Sequence, residues 1–167
     1  MSGLDEFVGQ REIASPAEME ELGRAFGRAL GAGDLVVLTG PLGAGKTTLT
    51  RGIAAELGVR GRVQSPTFVI ARTHPSLAGG PALVHVDAYR LGTDGELDDL
   101  DIDFAHAVVV AEWAAPFADA VADRWWEVEI DRGWSGTGVD NACGTAGPHM
   151  AAMEDAAPRR VRITRHG

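Results

Sequence analysis

The chain has 167 residues, 45% of them apolar and 23% charged, which suits one globular domain around one hydrophobic core. Fifteen basic residues against 24 acidic ones leave a formal net charge of −9, which argues against a broad basic face that grips DNA or RNA directly. The single cysteine, Cys143, excludes an internal disulfide and a cysteine-built zinc site. No apolar run nears the ~20 residues that span a bilayer, and the amino terminus lacks the basic-then-apolar order of a secretory signal. The expectation is a cytoplasmic protein with no membrane attachment.

In chain order, residues 1–14 read as an amino-terminal tail. Residues 15–32 predict a helix, because Ser15, Pro16 and Glu18 make a capping box with proline at the first helical position. Met19, Leu22, Phe26 and Leu30 then recur at spacings of three and four as one buried stripe, and Gly31 and Gly33 stop it. "DLVVLTG" is a short β-branched run suited to a buried strand. Lys46–Leu57 predicts a second helix, with Leu49, Ile53 and Leu57 on one side and Gly58 as terminator. Strands are expected at 67–73, 82–88, 107–112 and 125–130. The connection "HPSLAGGP" between the first two is too short for a helical crossover and reads as a hairpin. Residues 94–106, with acidic side chains at Asp94, Glu96, Asp98, Asp99, Asp101 and Asp103, read as a short helix with loops and a solvated acidic face. Pro116–Asp123 suits another short helix. Trp125 and Trp126 adjoin a strand, so one is expected in the core and its neighbour outside. Residues 132–158, rich in Gly and Ala and without periodicity, read as an insertion lacking fixed structure. Residues 159–167 read as a carboxy-terminal edge strand. The pattern is α/β with a mixed, largely buried sheet.

The chemistry concentrates in Gly40-Pro41-Leu42-Gly43-Ala44-Gly45-Lys46-Thr47, which fits G-x-x-x-x-G-K-[ST] between a strand and a helix. The glycines let successive backbone N–H groups turn inward on phosphate oxygens, and the helix adds its positive end to the same anion. Lys46 can reach the β- and γ-phosphates as a point charge, and Thr47 can place its hydroxyl on Mg²⁺. Fourteen of the fifteen basic residues are arginine, and Lys46 is the one lysine of the chain. A compact ammonium and a planar guanidinium are not interchangeable in a tight site. Asp87 in "ALVHVDAYR" and Glu112 in "AVVVAEW" each end an apolar run, where an open α/β sheet binds ligands, and either can serve the metal or the attacking water. Ser65 and Thr67, in "VQSPTF", sit where a loop enters a strand and could sense a γ-phosphate as switch loops do. The histidines show no metal-ligand spacing and read as structural.

"GPLGAGKTT", "SPTF", "VDAYRL" and "AEW", in this order, resemble the TsaE (YjeE) family over roughly residues 15–131. These are small P-loop ATPases of tRNA threonylcarbamoyladenosine formation. The resemblance implies a P-loop NTPase-like three-layer fold, a central mixed sheet flanked by helices, over a domain at 15–131. It implies ATP and Mg²⁺ as cofactors. Leu42, Gly43, Ala44, Gly45, Lys46, Thr47 and Thr48 would wrap the phosphates, with Ser65 and Thr67 in a switch-like loop. Thr47 and Glu112 would hold Mg²⁺. Asp87 would act near the water or the metal, and Lys46, Asp87 and Glu112 would carry the catalysis. Tyr89, Arg90 and Trp113 would surround the site, and the segment near Ser15 would lie beside the base. The resemblance also implies TsaD and TsaB as partners in modifying adenosine 37 of tRNAs that read codons starting with A, with tRNA met only through them. One departure is Pro41, which stands where an acidic residue is common in that family.

Two other classes compete. A small-molecule kinase of nucleoside type would explain "DAYR", but such enzymes need an arginine-rich lid, and Arg159, Arg160, Arg162 and Arg165 read as a terminal strand. A guanine-specific GTPase needs an Asn-Lys-x-Asp type motif, which a chain with Lys46 as its only lysine cannot contain. The expectation is a weak Mg²⁺-dependent ATPase gated by its partner complex.

Overall fold

The computed structural model describes residues 3–64, 70–91, 100–132 and 157–167. Seven strands form one mixed sheet in the order β1-β7-β6-β2-β5-β4-β3. They are β1 (Gly9–Ile13), β2 (Leu35–Thr39), β3 (Ala71–His74), β4 (Ala82–Asp87), β5 (Ala107–Glu112), β6 (Trp125–Arg132) and β7 (Arg159–His166). The four central strands, β6, β2, β5 and β4, run parallel, and β7 and β3 flank them antiparallel. β2 therefore lies between β6 and β5, with chain continuing on both sides of it. That is the point in a doubly wound sheet where ligands gather beyond the carboxyl ends of the strands.

Two helices cover one face. α1 (Pro16–Ala29) starts as its sequence requires: the Glu18 amide donates to Ser15 Oγ at 3.2 Å, and Glu18 Oε2 accepts from the Ala14 amide at 2.8 Å. It ends at Ala29, short of residue 32, with Leu30 already extended and the Gly31 amide donating to Asp34 Oδ2. α2 (Lys46–Leu57) ends at Gly58, whose φ of 61° and N–H bonds to Ala54 and Ala55 carbonyls close the last turn. α1 and α2 cross at Gly23 and Gly52. A β-carbon at Gly52 would stand 2.1 Å from the Glu20 carbonyl oxygen, and one at Gly23 would stand 2.3 Å from that of Leu49, so the two backbones touch. Met19, Leu22, Phe26, Leu49 and Ile53 pack from these helices on Val36, Leu38, Val108, Val110 and Trp126 of the sheet. The other face buries Leu35, Val37, Val84, Val86, Val109 and Trp125 under the segment 100–104 and the short helix α3 (Ala118–Val121), which a 3-10 turn (Ala115–Phe117) precedes. The result is the expected three-layer α/β arrangement.

Several expectations change. The carboxy-terminal strand is not an edge: β7 pairs with β6 on one side and β1 on the other. β1 comes from the segment read as a tail, which also folds a 3-10 turn (Gly3–Phe7) whose Leu4 is fully buried. Arg11 is held there by the Phe7 carbonyl and ring. The polar run "GQREI" hid this strand, because an edge strand half in water needs few apolar residues. Trp125 and Trp126 are both buried, since both faces of the sheet are covered. Trp126 joins the helix side, while Trp125 stacks on His166 at 3.9 Å and donates its indole N–H to Asp119. The hairpin β3–β4 forms as expected, with β3 beginning at Ala71. Ser65 and Thr67, most of the acidic run at 94–103, and the insertion from 133 to 156 lie outside the described residues. No helix among the described residues is long and apolar enough to cross a membrane.

Candidate functional site

The loop Gly40–Gly45 leaves the carboxyl end of β2 and enters α2 at Lys46. Gly45 caps the helix with φ at 116°, a conformation that residues with a side chain rarely adopt, and the first helical amides have no partner within the helix. The Ala44 amide donates to the Pro41 carbonyl at 3.1 Å and fixes the turn. Arg132, at the end of β6, donates from Nη2 to the Leu42 carbonyl at 2.6 Å and braces the loop. Its Nε is buried without a partner among the described residues.

Lys46 is buried, and its ammonium donates to the carbonyls of Gly40 at 2.7 Å and Pro41 at 3.0 Å while lying 4.9 Å from the Trp113 ring centre. Burial pushes its pKa below the ordinary lysine value of 10.5. Glu112 and then Asp87 pull it back up, and Arg132 adds to the lowering. The two carboxylates expected at strand ends are thus close enough to act on the loop lysine. They lie opposite each other, Asp87 of β4 against Glu112 of β5. Asp87 is half-buried and its Oδ1 accepts from the Tyr89 amide, capping the 3-10 turn Ala88–Arg90. Glu112 is buried, and its Oε1 lies 2.9 Å from Nε2 of His85. Trp113 holds φ at 62°, its amide donating to the Leu38 carbonyl, and so swings its ring across β2 to Lys46 and to an edge contact with exposed Tyr89 at 5.8 Å.

Thr47 and Thr48 follow in the first turn of α2, both partly exposed, and the Thr47 hydroxyl makes no hydrogen bond among the described residues. Beyond the loop a cleft is lined by Ile13, Ser15, Pro16, Met19, Gly43, Ala44, Gly45, Thr48, Ala157 and Arg159. Its lining of apolar side chains with a few polar groups is of the kind that holds small organic ligands. Of the residues singled out from sequence, Leu42 through Thr48, Asp87 and Glu112 thus gather at one end of the sheet, with Ser15 across the cleft. Sequence reasoning missed three contributors. His85 was legible by parity, since it stands two residues before Asp87 on the same strand and so on the same face. Arg132 and Arg159 had no local signal, because β6 and β7 bring them in through pairing across the sheet.

A metal ion would find hard oxygen donors here. Glu112 keeps one carboxylate oxygen free of hydrogen bonds among the described residues, and Thr47 keeps its hydroxyl. No group of three or more His, Cys, Asp or Glu stands together among the described residues. One carboxylate and one hydroxyl beside this glycine-rich loop nevertheless suit Mg²⁺, which takes few protein ligands and completes its shell with other oxygens and water.

Comparison with known proteins bears on this arrangement. A family model described as "Threonylcarbamoyl adenosine biosynthesis protein TsaE" matches residues 13–137. The tRNA threonylcarbamoyladenosine biosynthesis protein TsaE of Streptomyces coelicolor is 56% identical over 117 residues, covering 68% of this chain and 79% of that protein. The protein of the same name from Mycobacterium tuberculosis (strain H37Rv) is 51% identical over 120 residues, 66% of this chain and 71% of the relative. That of Bacillus subtilis is 33% identical over 121 residues, 71% of this chain and 74% of the relative. A crystal structure of Bacillus subtilis YdiB superposes with a TM-score of 0.61 at 25% identity, covering 94% of this chain and 84% of that one.

Proposed function

Because this chain belongs to the TsaE family, we propose that it binds and hydrolyses ATP as the nucleotide-handling subunit of tRNA threonylcarbamoyladenosine formation, working with TsaD and TsaB and meeting tRNA through them. The observation that carries this reading is the surroundings of Lys46. The chain's one lysine sits at the mouth of a strand–loop–helix turn, in electrostatic reach of Glu112 and Asp87 and held by two loop carbonyls. A lysine so placed can leave the carbonyls for the more strongly accepting oxygens of a triphosphate.

The residues divide the work. Backbone amides from Leu42 to Thr48 bind the phosphates and α2 adds its positive end. Lys46 offsets charge that develops on the transferring phosphoryl group. Ser15, Met19 and Arg159 border the nucleoside in the cleft. Thr47 and Glu112 would hold Mg²⁺, which supplies charge neutralisation at the phosphates. Asp87 is free at one oxygen to orient water. Ser65 and Thr67 belong to a loop that responds to the γ-phosphate. Arg132 is engaged by the Leu42 carbonyl rather than left free to meet a phosphate, which supports slow intrinsic turnover raised by the partner complex. The acidic chain agrees with a subunit that leaves the nucleic acid to others.

The test is ATP hydrolysis by the chain alone and with TsaB and TsaD. Acceleration by the pair is expected. Equal rates refute gating, unchanged turnover in Lys46→Ala refutes the site, and rapid phosphate transfer to an added nucleoside points to a kinase instead.

A further inference from the structure

His85 is completely buried on β4, where Leu83, His85 and Asp87 alternate onto the face covered by α2. The same face carries Val108, Val110 and Glu112 of β5, and the register sets His85 beside Val110, one step below Glu112. Its Nε2 lies 2.9 Å from Glu112 Oε1. Its Nδ1 has no partner at all among the described residues. A carboxylate only accepts, so Nε2 must carry the proton and donate. A second N–H at Nδ1 would have no acceptor in a buried place, and a bare ring nitrogen is the lesser cost. The ring is therefore committed to one hydrogen bond, with Glu112.

Glu112 has two ways to turn. It lies close enough to Lys46 to raise that lysine's pKa, yet the two make no ion pair. A long carboxylate with no tether would close on a buried ammonium, taking the lysine from the phosphates and its own oxygens from the metal. The geometry points to His85 as the positioning residue that prevents this: its Nε2–H holds Glu112 Oε1, so that the carboxylate keeps its other oxygen for Mg²⁺ and stays off Lys46. This inference rests on the reading of Glu112 as a metal ligand and adds to it the residue that aims the ligand. Partners of this kind typically change metal affinity about 10–100-fold when removed.

The experiment measures binding of a fluorescent ADP analogue to the full chain, in Mg²⁺ and in EDTA, with urea melts alongside. His85→Leu is expected to lose about tenfold or more of the Mg²⁺-dependent gain in affinity while binding in EDTA changes about twofold or less. His85→Gln, whose amide can donate from nearly the same place, should restore the gain to within about threefold. In a Glu112→Ala background, His85→Leu should cost nothing further in Mg²⁺. If His85→Leu does not fold, the pair His85→Gln and His85→Asn decides, because the shorter asparagine amide cannot reach Glu112 and should behave as the leucine variant is expected to. A Mg²⁺-dependent gain that survives in the leucine or asparagine variant overturns the inference and leaves the metal reading standing. An equal loss in Mg²⁺ and EDTA also overturns it, since a merely structural role moves both. A wild-type chain with no Mg²⁺-dependent gain overturns the metal reading and this inference together.

Discussion

Gly52→Ala sets helix propensity against tertiary contact. In an isolated helix alanine is better than glycine by about 1 kcal/mol, so the substitution in the middle of α2 should stabilise. The crossing with α1 reverses the sign. The new β-carbon would stand 2.1 Å from the Glu20 carbonyl oxygen and 2.8 Å from the Gly23 α-carbon, where ordinary contact begins at 3.4 Å. The obstacle is backbone and cannot rotate away, so the helices must part by about 1.3 Å, the shortfall from ordinary contact. Overpacking of this kind costs about 1–3 kcal/mol or more. Taking about 3 for a backbone clash and subtracting the propensity gain leaves roughly 2 kcal/mol of destabilisation, or a Tm lower by about 4–8 °C for a chain of this length. The contacts also rank a series. Gly23→Ala, at 2.3 Å from the Leu49 oxygen, should fall next, and Gly27→Ala, whose nearest neighbour is the Glu56 β-carbon at 3.1 Å, should lose least. Because the displaced helices carry opposite walls of the cleft, Ser15–Met19 and Gly43–Thr48, affinity for nucleotide should drop in the same order. Thermal and urea melts of the three variants, with nucleotide titrations, supply the check. A Gly52→Ala chain that melts at or above the wild type, or a Gly27→Ala chain that is the worst of the three, refutes the reasoning.

Lys46 gives a pH dependence. Its folded pKa lies below 10.5, first because of burial, so between the folded pKa and 10.5 the unfolded chain binds more protons and stability rises with pH. The penalty of the buried charge is present in full below the folded pKa and is relieved as pH climbs toward 10.5. Lys46→Met removes this linkage, so without nucleotide its stability relative to wild type should be greatest near neutrality and shrink through the alkaline range. Parallel curves from urea melts at several pH values would count against the assignment. Ser15→Ala should cost about 1 kcal/mol through the lost helix cap, and a thermal melt should show a fall of about 2–4 °C, with no change signalling that the Glu18 amide finds another acceptor. Trp113 lies 4.9 Å from the Lys46 ammonium, so drawing that lysine onto phosphates should alter its fluorescence. The nucleotide-dependent change should vanish in Trp113→Phe, and its persistence there would place the reporter elsewhere.

The chain order of "GPLGAGKTT", "VDAYRL" and "AEW" was enough to name the loop, its lysine and the two carboxylates, because each depends on local rules: glycine's open backbone, a helix start and the parity of a strand end. The boundaries of α2 and of β5 followed for the same reason, since periodicity and terminators act within a few residues. What the sequence could not carry was everything set by distant pairing. The polar "GQREI" becomes a strand only because β7 offers it an edge, and that pairing moves the carboxy-terminal strand to the interior. Trp125 is buried only because α3 and His166 cover the face it points to. Gly23 and Gly52 look like weak points in two helices until the helices meet, and only then are they required. His85 looks structural until the register of β4 against β5 brings it to 2.9 Å from Glu112. Local free energies of about 1 kcal/mol per residue write the elements into the sequence. The groups that contact the loop and the carboxylate from a distance in sequence, Arg132 at the Leu42 carbonyl and His85 at Glu112, come from β6 and β4 and meet them only when the sheet assembles.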